Sequence, residues 1–451
     1  YRQDRPSSIA GDASTAGVAD EPLLQPVSPR PIQQEALSAL EGTRVDGFNR
    51  GLVVMATGLG KTWLAAFDSS RPQFKRVLFI AHREEILRQA RDVFRQVRPD
   101  ADLGLFLGSD KAPNADVVFA SIQTLSRHLE HFSTDRFDYV VVDEFHHAAA
   151  PTYRRVIDHF TPSFLLGLTA TPDRRDGADL LVLCGDNLVF ECNLVEGIRR
   201  DELSPFEYWG IKDVADFAPI PWRNGRFDPE ALTTAIETRD RAEQALTQWR
   251  QKGGGPTLAF CASISHAEFM KGYFTDSGVL VAAVHSGPQS DPRHRAVEEL
   301  RSGTVEVVFT VDVFNEGVDI PEILSVLMLR PTESPVVFLQ QLGRGLRKAE
   351  GKEALQVIDF VGNHRSFLMK PRTLLSLGTR TPSNKEALQA IRTGDLELPP
   401  GCSVNFDLEA IELLESLVPR SRAEALEEFC TNYAADHGVR PTAAQAFRSG
   451  Y

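Results

Sequence analysis

Two short stretches of this sequence carry the residue types and spacing needed to handle a phosphate group. The first is "MATGLGKT", where Gly58 and Gly60 precede Lys61 and Thr62 directly after the apolar run "GLVVM". Glycines let backbone N–H groups approach an anion, and a helix that starts at the turn adds its positive end. Thr57, Gly58, Leu59, Gly60, Lys61 and Thr62 therefore form a candidate phosphate cradle, with Lys61 reaching the β and γ phosphates and Thr62 holding Mg²⁺. Met55 stands where such a loop usually has its first glycine, and an ordinary strand-to-helix turn with an exposed lysine is the plainer reading.

The second stretch, "YVVVDEFHH", ends a buried-strand pattern on Asp143 and Glu144. Adjacent carboxylates after four apolar residues are costly unless something uses them. Asp143 can bind the metal that Thr62 also touches, and Glu144 can orient and deprotonate a water for attack on the γ-phosphorus. That pairing favours hydrolysis over transfer to a small molecule; a solvated Asp-Glu turn is the alternative.

These residues need a scaffold that brings strand ends together. Short continuous apolar runs, "GLVVM", "RVLFIAH", "ADVVFAS", "FDYVVVDE" and "SFLLGLTATP", alternate with helix-length amphipathic segments such as "REEILRQARDVFRQV". Continuous apolar strands imply burial on both faces, hence parallel sheets covered by helices. A second series, "TLAFCAS", "VLVAAVHSG", "VEVVFTVD", "LSVLMLR" and "ALQVIDFV", follows the break "KGGGP". The expected class is α/β: two tandem parallel-sheet domains plus a small helical C-terminal region. The expected boundaries are a flexible leader at 1–28, a first domain at 29–195, a connector at 196–252, a second domain at 253–372 and a helical appendage at 373–451.

The net charge of -13 and pI near 5.4 argue against coating nucleic acid by bulk charge but leave room for a local basic groove. The five cysteines lack metal-ligand or disulfide spacing, which fits a reducing cytoplasm. No apolar run reaches the roughly 18 residues of a membrane span.

"RPIQQEAL", "MATGLGKT", "FIAHREEILRQA", "ASIQTL", "VVDEFHH", "GLTATP", "VVFTVDVFNEGVDIP" and "FLQQLGRGLRKA" resemble, in order and spacing, the motifs of DEAD/DEAH-box superfamily 2 helicases. The nearest resemblance is to bacterial helicases in which the motor follows a phospholipase-D-like nuclease, although no His-x-Lys nuclease signature stands here. The resemblance implies two RecA-like domains that hydrolyse Mg-ATP in their shared cleft and grip nucleic acid, DNA before RNA, with a nuclease domain outside these residues as a further partner. It assigns Gln33 to the adenine edge, and Gly317 and Asp319, with Asn315, to a loop touching both ATP and nucleic acid. His146, Thr169 and Thr171 take coupling roles. His82, Arg83, Ser121, Gln123, His285 and Thr310, with Ser286, become nucleic-acid contacts. Arg344 and Arg347 become arginine fingers; three residues apart, they are expected on one helical face. Each of these polar residues, taken alone, also reads as an ordinary cap, turn or solvated face.

Overall fold

The computed structural model describes residues 27–108, 110–170, 177–223, 225–314, 320–332, 334–377, 382–437 and 440–448. Most of the expected leader, and Thr171, Asn315, Gly317 and Asp319, lie outside them.

The first sheet contains β1 (Arg50–Met55), β2 (Val77–Ala81), β3 (Leu103–Phe106), β4 (Val117–Ser121), β5 (Tyr139–Val142), β6 (Phe164–Thr169) and β7 (Leu188–Cys192), in the order β3-β4-β2-β5-β6-β1-β7. The second contains β8 (Phe206–Lys212), β11 (Thr257–Phe260), β12 (Val281–Val284), β13 (Val307–Thr310), β14 (Ser325–Met328), β15 (Leu355–Val361) and β16 (Ser403–Phe406), in the order β12-β13-β11-β14-β15-β8-β16. A separate hairpin joins β9 (Trp222–Arg223) to β10 (Arg226–Phe227). Every ladder in both seven-stranded sheets is parallel. Because parallel strands all end on one edge, the loops after β1, β2, β4, β5 and β6 gather along the carboxyl edge of the first sheet, where open α/β sheets bind ligands.

Strands with unbroken apolar runs match the sequence pattern: β2, β4, β5, β11 and β13 are buried at every position. The segments read as connector and appendage differ from expectation. The connector supplies β8, which pairs with β15 on one side and with β16, from the appendage, on the other. Near the sheet margin β8 is only half covered, so its sequence "FEYWGIK" mixes polar and aromatic residues and hides the strand signal. β16 has four residues, too few to show a period.

A close packing detail explains the Phe at position 145. The Phe145 ring is buried against β6, where a Cβ on Gly167 would sit 2.8 Å from it. Glycine on the neighbouring strand makes the room for the ring.

Candidate nucleotide cleft

β1 ends at Met55, and the chain then turns through Gly58 (φ 95°) and Gly60 (φ 83°) into the helix Lys61–Ser69. Both glycines adopt the left-handed region that side chains disfavour, so the turn needs glycine there. Leu64, Ala65 and Ala66 bury the inner face of the helix and fix its N-terminus beside the turn. Lys61 folds its Nζ back to the Met55 carbonyl oxygen at 3.1 Å. The Leu59 side chain is buried in the core. Gln33, 2% exposed, donates from Nε2 to the carbonyls of Leu59 and Gly60, each at 3.3 Å, and accepts at Oε1 from the Arg30 backbone N–H. The structure thus places Gln33 behind the loop as a brace.

Across the sheet edge, Asp143 and Glu144 are 5% and 7% exposed. Asp143 Oδ1 accepts from the Glu144 N–H at 2.9 Å. Glu144 is itself left-handed, at φ 49°, a strained state for a non-glycine residue that is found at functional sites. Its Oε2 is buried without a well-formed hydrogen bond, 3.3 Å from His146 Nδ1. Burial pushes the Glu144 carboxyl up, but the adjacent His146 ring and the charges of Lys61 and Arg344 outweigh this and hold it down at about 2. His146 Nδ1 also lies 3.4 Å from Thr169 Oγ1, at the end of β6. The two predicted coupling residues within the described region are therefore in contact.

The opposite wall comes from the second domain. Arg344 and Arg347 line the same opening, about 530 Å³, as Thr57, Gly58, Gly60, Lys61, Thr62, Asp143 and Glu144. The expected shared helical face is incorrect: the helix Pro335–Arg344 stops at Arg344, Gly345 caps it, and Arg347 stands on the following loop beyond buried Leu346. Both guanidinium groups still reach the cleft, because the loop turns back over the glycine turn. A Cβ on Gly58 would lie 3.2 Å from Arg347 Cγ, and one on Gly343 would lie 2.7 Å from Thr57 Cβ. Burial, with the charge of Arg30 added, brings the Arg347 guanidinium down to about 10, so it remains charged at neutral pH.

Three sets of residues here escaped the sequence reading. Leu203 packs against Gly58 and Gly197, and Ser204 donates its N–H to the Leu346 carbonyl at 2.7 Å and its hydroxyl to the Arg347 carbonyl at 3.3 Å. The segment between the domains is thereby tied to both walls. Arg293, His294, Glu298 and Arg301, on the helix Arg293–Ser302, face Gln89 and Asp92 of the helix Glu84–Val97 across the same opening. His147 places its ring centroid 4.1 Å from that of His146 and 4.9 Å from that of His82. The doubled His in "DEFHH" was the signal for it.

The predicted nucleic-acid row divides. Arg83 donates to the Asp312 carbonyl in the second domain at 2.9 Å, so it sits where the two carboxyl edges meet, with His82 beside it at 3.3 Å. Gln123 is exposed. Ser121 caps the helix Ile122–Arg127 with its hydroxyl. His285 uses both ring nitrogens, Nε2 on Glu268 at 2.7 Å and Nδ1 accepting from the Gly287 N–H at 3.0 Å. Thr310 is 0% exposed. Ser121 and His285 thus satisfy backbone N–H groups near strand ends, whereas the buried Thr310 hydroxyl has no hydrogen-bond partner among the described residues.

Two RecA-like domains enclose one cleft, with a glycine turn and two carboxylates on one wall and two arginines on the other, and both domains are similar to those of ATP-dependent helicases. Residues 26–174 match the type III restriction enzyme res subunit, and residues 238–349 the helicase conserved C-terminal domain. The chain is 28% identical to the Saccharomyces cerevisiae protein named as the ATP-dependent helicase IRC3, over 77% of this chain and 53% of that one. It is 30% identical to the mitochondrial ATP-dependent helicase irc3 of Schizosaccharomyces pombe, over 74% of this chain and 58% of that one. The chain thus spans little more than half the length of these relatives. A fragment of a type I restriction enzyme HsdR subunit from Vibrio vulnificus YJ016 superposes with a TM-score of 0.58 at 26% identity, covering 74% of this chain and 64% of that one. Dbp5 of S. cerevisiae superposes with a TM-score of 0.56 at 16% identity over 87% of this chain and 94% of that one, a likeness of fold alone.

Proposed function

We propose that the chain is a DNA-stimulated ATPase that moves along a single strand held across the carboxyl edges of both domains. The observation that carries this reading is the shared opening, where Arg344 and Arg347 from one domain meet Lys61, Asp143 and Glu144 from the other. Only a closed arrangement supplies the arginines, so anything that stabilises closure raises the rate. A strand bridging both domains would do so, and the Arg83 contact to Asp312 marks where it would bridge.

In this reading the glycine turn binds the phosphates and Lys61 leaves the Met55 carbonyl to reach them. Glu144 takes a proton from the attacking water, and Arg344 and Arg347 offset the charge that develops on the γ-phosphate. Thr62 and Asp143 line the same wall and offer the oxygen donors Mg²⁺ prefers. When bound there, Mg²⁺ would neutralise phosphate charge. Adenine recognition by Gln33 would require its amide to leave the loop carbonyls.

DNA as the lattice is favoured by the restriction-subunit match of the first domain. The same match favours a second reading, a duplex translocase that separates no strands. A nuclease domain outside these residues fits either reading, and free thiols at all five cysteines fit a reducing cytoplasm. ATPase rates measured against single-stranded DNA, duplex DNA and RNA of several lengths test the proposal. Stimulation that grows with single-strand length is expected; absence of stimulation by every nucleic acid overturns it. Duplex-triggered turnover without strand release in an unwinding assay selects the second reading.

A further inference from the structure

We infer that the β9–β10 hairpin is a phosphate clamp, in which Arg223 and Arg226 grip the backbone of the nucleic acid as it crosses the second domain. The inference rests on the nucleic-acid reading above and adds a binding element to it.

Placement comes first. The segment that follows β8 is stitched over the carboxyl end of β15: Asp213 N–H donates to the Val361 carbonyl at 2.9 Å, and Phe217 N–H donates to Asn363 Oδ1 at 2.7 Å. A Cβ on Gly362 would lie 2.2 Å from the Phe217 ring, so glycine admits that ring. Trp222 and Phe227 then set their rings 4.8 and 4.7 Å from that of His364. The hairpin therefore stands on the edge where β13 also ends. Three strand spacings separate β13 from β15, about 14 Å, a span a strand lying along that edge would cover within a few nucleotides.

Charge is the second observation. Arg223 and Arg226 are exposed and directly opposite each other in the ladder. Like charges in a cross-strand pair destabilise a ribbon, and a two-stranded ribbon is marginal to begin with. Among the described residues neither guanidinium enters an ion pair or hydrogen bond, although the chain carries a net charge of -13. An acidic chain with carboxylates to spare has left this pair without one. Two successive phosphodiester groups laid along the pair offset the repulsion, each making a charge-assisted contact with one guanidinium.

Rigidity is the third. Inward-facing Trp222 and Phe227 join the cluster of Phe217, Phe367 and Leu368, and the helix Arg422–His437 packs against β9. Segments without a role in hydrolysis thus brace the two arginines. Trp222 remains half-exposed beside them and offers a face on which a base can stack.

The test uses the full chain and fluorescence anisotropy of labelled oligothymidylate and of a labelled duplex, each titrated over a range of salt. Two phosphates released should reduce the slope of log affinity against log salt by about 1.4 for the single strand, and by about 1.8 for duplex, in Arg223→Ala/Arg226→Ala. A tenfold rise in salt would then cost the parent about 25-fold more single-strand affinity than it costs the variant. Arg223→Lys/Arg226→Lys should keep the parent slope, and neither variant should melt below the parent, since neither side chain is buried. An unchanged slope in the alanine variant overturns the clamp while leaving the motor standing. A parent that binds neither oligonucleotide overturns the nucleic-acid reading and the clamp with it.

Discussion

At Glu144 the backbone is strained and the carboxylate desolvated, and both are tolerated because of what surrounds the side chain. Glu144→Gln keeps the shape and removes the base; turnover should fall about 10²–10⁴-fold with ATP affinity retained, as measured by steady-state hydrolysis and nucleotide titration. The same carboxyl links pH to stability. Its folded value, about 2, lies below the ordinary 4.5, so its contribution is complete above about 4.5 and disappears as pH falls toward 2. The unfolding free-energy difference between the parent and Glu144→Gln should be flat near neutrality and narrow across that acid window; a difference constant with pH excludes the charge network as its source. Arg347→Ala removes a charge from the opposite wall. It should cost about 10³–10⁵ in the stimulated rate while leaving ATP affinity nearly intact, and equal losses in both would contradict a finger role.

Among the elements, the helix Pro335–Arg344 approaches the phosphate turn more closely than any side chain would allow. A Cβ on Gly343 meets Thr57 Cβ at 2.7 Å, and a Cβ cannot rotate out of the way. Gly343→Ala should therefore wedge the domains apart, lowering nucleic-acid-stimulated hydrolysis while nucleotide binding to the first domain persists; small-angle scattering should report a larger radius. A second tight element pair is β6 with the short turn after β5. Gly167→Ala should push the Phe145 ring off its strand and cost about 1–3 kcal/mol by overpacking, read by urea unfolding. This pairing also shows what a sequence scan misses. In the sequence Phe145 is one aromatic after a carboxylate pair, and Gly167 one residue of an apolar run; their mutual fit exists only once β5 and β6 lie side by side.

On the scale of the molecule, the residues proposed for hydrolysis, closure and strand contact are spread over both sheets. A translocating motor should show a stimulated rate that rises with lattice length and then levels, whereas a stationary sensor should respond equally to short and long strands. What the chain alone determined was local: the glycine turn, the buried strands, the carboxylate pair and the motif order, each set by residues a few positions apart. Tertiary structure decided the rest. β8 and β16 became strands only through pairing with partners far along the chain, and Arg347 faced the phosphate turn from a loop where sequence spacing suggested a helix. The local bonds of Ser121 and His285 and the burial of Thr310 were likewise not visible in the sequence. The hairpin arginines drew no notice in the sequence, because a basic turn acquires meaning from the edge on which it stands. Periodicity records which residues are covered, but it cannot record what covers them, and a cleft between two domains is made entirely of such long-range coverage.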